Sequence, residues 1–207
     1  MKQYDTIKSG ITYQYETVIE KSRFISHARH VDSVEEATDF INSVRKQHFD
    51  ATHNCYGYIC DDRAKFSDDG EPQGTAGMPI YECIRNKNLN RVCVVVTRYF
   101  GGIKLGAGGL VRAYNGGAAG VLSVAEVVSM RQCVRFTLSV AYSSLKQVQK
   151  TLDGKAVIEN IEYGVDVVLQ CLVLQEMYDT ILDIVTENTN GRAIFALKEQ
   201  LLYPYSI

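Results

Sequence analysis

Apolar and polar positions follow the clearer pattern in the second half of the chain. Residues 134–140 alternate between apolar and polar side chains, as in a strand with one buried face. Apolar residues three and four positions apart predict two helices, one over residues 145–152 and one over residues 178–185. We expect Ser143 or Ser144 to cap the first of these helices.

Three further strands are predicted around these helices. Residues 156–163 and 165–173 flank Gly164 as a hairpin, with the odd-numbered residues from Val165 to Val173 on one face, and residues 193–199 form a last strand. The resulting order, β-α-β-β-α-β, is the ferredoxin-like order. We therefore place a ferredoxin-like domain at 133–207.

Residues 1–132 show a different order of elements. A strand pair is predicted over residues 11–28, and Ser33 with Glu36 forms a capping box that begins a helix. HNCYGYICDD is typical of a strand, the segment from Phe66 to Gly77 is predicted as a long loop, and MPIYECIRNK as a short helix.

The strongest strand signal is RVCVVVTRYF, residues 91–100. Its continuous valine run indicates a strand that is buried on both faces in the middle of a sheet. After a turn at Gly101 and Gly102, LVRAYNGGAAGVLSVA is typical of a helix whose small residues pack closely on that sheet. The chain is thus predicted to be an α+β protein with two domains, 1–132 and 133–207.

Composition narrows the class of protein. The 207 residues carry 22 basic and 24 acidic side chains, a net charge of −2. This charge excludes a histone-like protein that binds nucleic acid through a positive charge over the whole molecule. No apolar run of about 18 residues and no leader pattern is visible, so we expect a cytoplasmic protein without membrane contact. The six cysteines are scattered, and free thiols are expected.

Half of the sixteen glycines lie in GGIKLGAGGLVRAYNGGAAG, residues 101–120, after the strongest strand and at the start of a helix. Glycines allow a close approach of the backbone, and free N–H groups at a helix start favour an anion such as phosphate. Lys104 and Arg112 would add positive charge. The alternative is that these glycines only permit a tight turn and close helix–sheet packing.

Basic residues dominate the same part of the chain. No acid occurs between Glu82 and Glu126, whereas six bases and several aromatic residues do. Basic groups beside exposed aromatic rings suit phosphate neutralisation and base stacking, so an RNA-binding face is predicted. The bases are Arg85, Lys87, Arg91, Arg98, Lys104 and Arg112.

The loop FSDDGEPQGTAGMP carries Asp68, Asp69 and Glu71 close together. Three interpretations stay open: a Mg²⁺ or Ca²⁺ site, turn formation in which the aspartates cap their own backbone, and a polar recognition loop. The third would place this loop against the glycine-rich turn to complete one cleft of opposite charges.

Two stretches carry a specific family resemblance. SDDGEPQGTAGMP (67–79) and VVVTRYFGGIKLGAGGLVRAY (94–114) resemble the two signature blocks of the YigZ/IMPACT family, and KSRFISHARHV (21–31) also fits. The resemblance covers nearly the whole chain and is that of a bacterial two-domain member. It implies an amino-terminal IMPACT-type α/β domain similar to domain IV of elongation factor G, and a carboxy-terminal domain similar to domain V of that factor.

The resemblance also bears on function, because eukaryotic relatives act as translation regulators without known catalysis. We therefore expect a non-enzymatic regulatory or binding protein linked to translation, contacting RNA, the ribosome or a translation factor through the basic glycine-rich face. The alternative is an enzyme that acts on a phosphorylated small molecule or nucleotide held at the glycine-rich turn. A third interpretation makes both loops structural and predicts that Gly108→Ala lowers stability.

The candidate residues follow from these blocks. The predicted site for RNA, another polyanion or phosphate comprises Arg98, Tyr99, Gly101, Gly102, Lys104, Gly106, Gly108, Gly109, Arg112 and Tyr114. The predicted recognition loop comprises Asp68, Asp69, Gly70, Glu71, Pro72, Gly74 and Thr75. No residue is assigned a catalytic role, and no metal or cofactor is predicted.

Overall fold

The computed structural model describes residues 2–204, except for the side chain of Leu197. The chain forms two compact units, one of residues 5–128 and one that combines residues 129 onward with the residues up to Tyr4. The division falls four residues before the boundary drawn from the sequence.

Unit 5–128 contains most of the regular elements of the chain. In order they are β1 (Tyr4–Ile7), β2 (Thr12–Ile19), β3 (Ser22–His30), α1 (Val34–Gln47), β4 (His53–Cys60), β5 (Arg63–Ser67), α2 (Gly77–Asn86), β6 (Val92–Tyr99) and α3 (Gly106–Val124).

These elements form three layers. An antiparallel sheet of order β2-β3-β6-β4-β5 lies in the middle, with α1 on one face and α2 and α3 on the other. Strand β6 is central, and its residues Val92 to Val96 are completely buried. The prediction of a central strand from the valine run is confirmed, because only a strand covered on both faces buries every successive side chain.

Helix α3 packs unusually closely on the sheet. A Cβ atom at Gly117 would lie 2.6 Å from the hydroxyl of Ser26, and one at Gly120 would lie 2.3 Å from the ring of Tyr15. These two glycines are therefore needed for helix–sheet contact, as the packing interpretation predicts.

Helix α1 begins as the sequence indicates. The Ser33 hydroxyl accepts a hydrogen bond from the Glu36 N–H, and the Glu36 carboxylate accepts one from the N–H of Asp32. The apolar face of α1 is buried against β4 and β6. Satisfying these free N–H groups fixes where the helix starts.

The predicted long loop is shorter in the structure. Phe66 and Ser67 belong to edge strand β5, and Gly77 is already the first residue of α2. Strand β5 has exposed side chains along most of its length, so it shows no alternation of apolar and polar residues and is missed from sequence.

The carboxy-terminal unit has the order β7 (Val127–Val140), α4 (Tyr142–Leu152), β8 (Val157–Tyr163), β9 (Val167–Leu174), a short 3₁₀ turn, α5 (Tyr178–Asn188) and β10 (Ile194–Pro204). Its sheet has five strands in the order β1-β7-β9-β8, with β10 also paired to β7, and the strands β7 to β10 pair antiparallel. The predicted β-α-β-β-α-β succession is confirmed. Both helices bury their apolar residues in one core with β7 and β9.

Two details of this unit differ from the prediction. Helix α4 starts at Tyr142 after Ala141, so Ser143 and Ser144 lie inside its first turn and neither caps it. Val165 is 98% exposed because it lies in the turn between β8 and β9, before the buried face of β9 begins at Val167.

Candidate functional site

Asp68 organises the loop between β5 and α2. Its carboxylate accepts hydrogen bonds from the N–H groups of Gly74 (2.8 Å), Ala76 (3.0 Å) and Gly77 (2.9 Å). Burial by itself raises the pKa of the Asp68 carboxyl, but these three hydrogen bonds outweigh burial and lower the pKa. Asp68 thus caps α2 from outside the helix, which supports the interpretation as turn formation.

Asp69 is also engaged within the unit. Its carboxylate accepts hydrogen bonds from the Arg45 guanidinium (2.8 Å) and from the N–H of Asn54 (2.7 Å). Its backbone carbonyl accepts a hydrogen bond from Nδ1 of His53 at 2.8 Å. The next residue, Gly70, has φ +88°, which L side chains rarely adopt.

Glu71 joins the loop to the second signature block. One carboxylate oxygen accepts hydrogen bonds from the Arg98 guanidinium at 2.6 Å and from the Tyr114 hydroxyl at 2.7 Å. Burial raises the pKa of Tyr114, which keeps its proton available for this bond. The loop therefore lies against the end of β6 and against α3, and the two blocks meet through a buried ion pair rather than at the open cleft of the third interpretation.

This contact corrects the expectation for two binding residues. Arg98 is only 5% exposed and Tyr114 is completely buried. Their polar groups are bound to Glu71, so neither residue lies on an exposed basic face. A buried guanidinium must be paired, and Glu71 supplies the compensating charge.

The rest of the predicted recognition loop forms its tip. The Thr75 hydroxyl donates to the Pro72 carbonyl at 2.6 Å, and Thr75 is buried. Pro72 and Gly74 are exposed. The tip and Gly70 are therefore open to a ligand, whereas the three acidic side chains are engaged in hydrogen bonds within the unit.

The glycine-rich block begins with a tight contact. A Cβ at Gly101 would lie 2.0 Å from the backbone of Lys21 in the β2–β3 turn, so no larger residue fits there without a shift. The N–H of Gly101 and the Arg98 guanidinium both donate to the Ser22 hydroxyl. Gly102 and Gly106 adopt positive φ values of 86° and 69°. The turn after β6 is thus anchored on the β2–β3 hairpin.

Of the residues in the predicted polyanion site, Lys104 and Arg112 have charged side chains that are exposed to solvent. Both are exposed and line one surface groove together with Gly109 and with Ile19 and Glu20 at the end of β2. The Arg112 guanidinium extends over the exposed Gly108 in the first turn of α3. The structure therefore brings these two cations together at the amino-terminal end of a helix.

Tyr99 is half-buried, and its hydroxyl is already bound. It donates to the Asp50 carboxylate at 3.1 Å and lies 3.0 Å from Nδ1 of His48. These bonds tie the end of β6 to the turn after α1. The ring is therefore a poorer candidate for stacking than the sequence indicates.

Sequence reasoning missed two residues of this region. Ser22 bridges the β2–β3 turn to Arg98 and Gly101, and Phe100 lies beside Arg98 with a partly exposed ring. Ser22 gives no pattern in the sequence that identifies it. Phe100 belongs to the strand predicted over residues 91–100, whereas in the structure β6 ends at Tyr99 and Phe100 lies where the chain leaves the sheet.

Metal ligands are not assembled in the described part of the chain. Among residues 2–204, no three His, Cys, Asp or Glu side chains form a group suited to a metal ion. No helix among these residues is long and apolar enough to cross a membrane.

Known protein families match both the amino-terminal and the carboxy-terminal part of the chain. The family model described as the Impact N-terminal domain matches residues 20–122, and a domain of unknown function (DUF1949) matches residues 138–192. The chain is 39% identical to the IMPACT family member YvyE of Bacillus subtilis over 197 residues, which are 93% of this chain and 90% of that protein. The chain therefore belongs to the IMPACT family.

Other IMPACT proteins extend this comparison. The chain is 40% identical to YigZ of Escherichia coli over 160 residues, 73% of this chain and 78% of that protein. A solved structure titled as a hypothetical protein superimposes with a TM-score of 0.62 at 31% identity, covering 96% of this chain and 98% of the other. The Protein IMPACT of Rattus norvegicus is 33% identical over 92 residues, which are 42% of this chain and 29% of that protein.

Proposed function

We propose that this IMPACT family member is a non-enzymatic regulatory protein of translation that binds RNA, free or within the ribosome, at the groove beside α3. The observation that carries the proposal is the pair Lys104 and Arg112. Both are exposed in one groove, and neither makes an ion pair or hydrogen bond with another described residue. Two cations without internal partners are suited to neutralising phosphates.

The start of α3 supports the same choice of ligand. Helix α3 begins at Gly106 after Leu105, without a side-chain cap and without an acid in its first turn. Its first N–H groups and its dipole therefore favour a negative ligand at this end. Glu20 is the acid among the residues that line the groove.

The link to translation rests on family resemblance. Eukaryotic relatives with the same signature blocks act as translation regulators, and the rat protein named Protein IMPACT matches part of this chain. Similarity to domains IV and V of elongation factor G, which the same resemblance implies, points to the ribosome and stays a prediction.

The loop carboxylates argue against the enzyme alternative. Asp68 caps α2, Asp69 is paired with Arg45, and Glu71 is buried against Arg98. None of the three is free to hold Mg²⁺ or to remove a proton from a substrate in the groove.

The test is the salt dependence of RNA binding. We expect wild-type protein to bind ribosomes and single-stranded RNA with an affinity that falls as salt rises. Lys104→Ala and Arg112→Ala should each weaken binding and reduce the slope of log K against log salt by about 0.7. Fluorescence anisotropy with labelled RNA across a salt series measures both quantities.

Lys65→Ala is the matched control, because Lys65 is an exposed lysine on β5, away from the groove. It should leave affinity and slope unchanged. Binding that does not depend on salt, or that Lys65→Ala weakens as much as Lys104→Ala does, would contradict the proposal and favour a protein partner.

A further inference from the structure

The Arg98 guanidinium contacts two aromatic rings in addition to Glu71. Its central carbon lies 5.5 Å from the ring centre of Phe24 and 5.3 Å from that of Phe100, over both rings. The Phe24 and Tyr114 rings in turn pack in a T-shaped arrangement with their centres 5.4 Å apart. We call Phe24, Arg98 and Phe100 the aromatic stack.

The aromatic stack runs from the core to the surface. Phe24 is completely buried and Arg98 nearly so, whereas Phe100 is 46% exposed. Arg98 is held in place by Glu71 and Ser22, so the inner face of the Phe100 ring lies on a fixed cation. Such a ring offers its open face to a planar ligand at a small further cost in conformational entropy.

Phe100 is held in place by its backbone as well. Its N–H donates to the Thr52 hydroxyl at 3.1 Å, and the Thr52 N–H donates to the Arg98 carbonyl at 2.9 Å. The same turn carries Phe49, which is 84% exposed. These backbone hydrogen bonds therefore join two segments that each carry an exposed aromatic ring to which a planar ligand has access.

The chemistry beside the ring selects the ligand. Lys104 follows Phe100 by four residues in the chain, and with Arg112 it lines the groove beside α3. A partly exposed ring four residues from a cation without an internal partner matches a base attached to a phosphate backbone. A purely apolar protein segment would leave both cations unused.

We propose that the open face of Phe100 stacks on an unpaired nucleobase while Lys104 and Arg112 bind the adjoining phosphates. This inference rests on the proposed function and makes its ligand single-stranded RNA. A duplex is excluded as the preferred ligand because its bases are stacked on each other and do not present a free face.

The test compares three ligands: a ten-nucleotide unstructured RNA, inorganic polyphosphate of ten units with a similar charge, and the same RNA sequence as a duplex, which carries about twice the charge. We expect the single strand to bind most tightly at equal salt. Phe100→Ala should lower its affinity on the order of 10-fold, from the loss of one stacked base, and leave the affinity for polyphosphate unchanged.

Substitutions at Phe100 separate stacking from folding. Phe100→Tyr keeps a ring and should keep the affinity, whereas Phe100→Leu keeps an apolar side chain on Arg98 and should lose affinity as Phe100→Ala does. Phe66→Ala is the control, because Phe66 is 40% exposed on edge strand β5 and should have no effect. Thermal unfolding of each variant verifies that it is folded.

Two results would overturn the inference and leave the proposed function intact. One is unchanged RNA affinity in Phe100→Ala or Phe100→Leu while Lys104→Ala weakens both RNA and polyphosphate. The other is tighter binding of the duplex than of the single strand. If neither RNA nor polyphosphate binds at low salt, the proposed function fails and this inference fails with it.

Discussion

At the scale of single residues, Glu71 decides how the two signature blocks fit together. One of its oxygens accepts hydrogen bonds from Arg98 and from Tyr114, and all three side chains are buried. In a site that water scarcely reaches, each group depends on the others for compensation of its charge or polarity. The signature residues at these positions therefore stabilise the fold and hold Arg98 in place beneath the Phe100 ring.

Removing the Glu71 carboxylate should be costly. Glu71→Ala leaves the Arg98 guanidinium buried without a counter-charge, so we expect the free energy of unfolding to fall by about 3–5 kcal/mol. Urea denaturation followed by circular dichroism measures the change.

The control for this substitution is an exposed ion pair. Glu82 lies 3.6 Å from Arg85 on the surface of α2, and Glu82→Ala should cost less than about 1 kcal/mol. Equal losses of stability in the two variants would show that the buried ion pair stabilises the protein no more than the exposed one does.

At the scale of elements, α3 uses its glycines in two different ways. Gly117 and Gly120 lie against the sheet, where a Cβ would collide with Ser26 and Tyr15. Gly108 is exposed in the first turn, and a Cβ there would only touch the Arg112 guanidinium at 3.6 Å. Close packing thus explains Gly117 and Gly120 but neither Gly108 nor Gly116, since a Cβ at Gly116 would meet nothing within 4 Å.

Gly108→Ala should therefore stabilise the protein. Its backbone is helical without positive φ, so alanine gains up to about 1 kcal/mol of helix propensity. The interpretation from sequence that makes both loops structural predicts the opposite result, a loss of stability. The measurement is the shift of the urea midpoint, with Gly117→Ala as the variant expected to move it in the opposite direction.

At the scale of the whole molecule, the six cysteines behave as core residues. All six are free and buried, in both units of the chain. Burial raises the pKa of the Cys55 and Cys93 thiols, and that of Cys171 to about 12. The reactive thiolate form is therefore scarce at neutral pH.

The native protein should accordingly resist a thiol reagent. We expect slow labelling at pH 8 in buffer and rapid labelling of six thiols in denaturant, followed by absorbance or mass spectrometry. A thiol that reacts at once in the native protein would contradict the burial of all six.

Much of the fold follows from the order of residues. The alternation over residues 134–140 and the valine run of β6 each predict which side chains are buried. They do so because successive side chains of a strand point to opposite faces of the sheet. Strand β5 was missed because its exposed side chains carry no such pattern. Contact between the loop with Asp68 and the second signature block was one of three interpretations that the sequence left open.

The sequence by itself determined the β-α-β-β-α-β succession of the carboxy-terminal unit, the central position of β6 and the two signature blocks. Only the tertiary structure decided that Arg98 and Tyr114 turn inward to Glu71 while Lys104, Arg112 and Phe100 face solvent. The physical reason is that a charged or aromatic residue looks the same in a sequence whether it is exposed or buried. Which of the two occurs depends on a partner that the fold brings from a distant part of the chain.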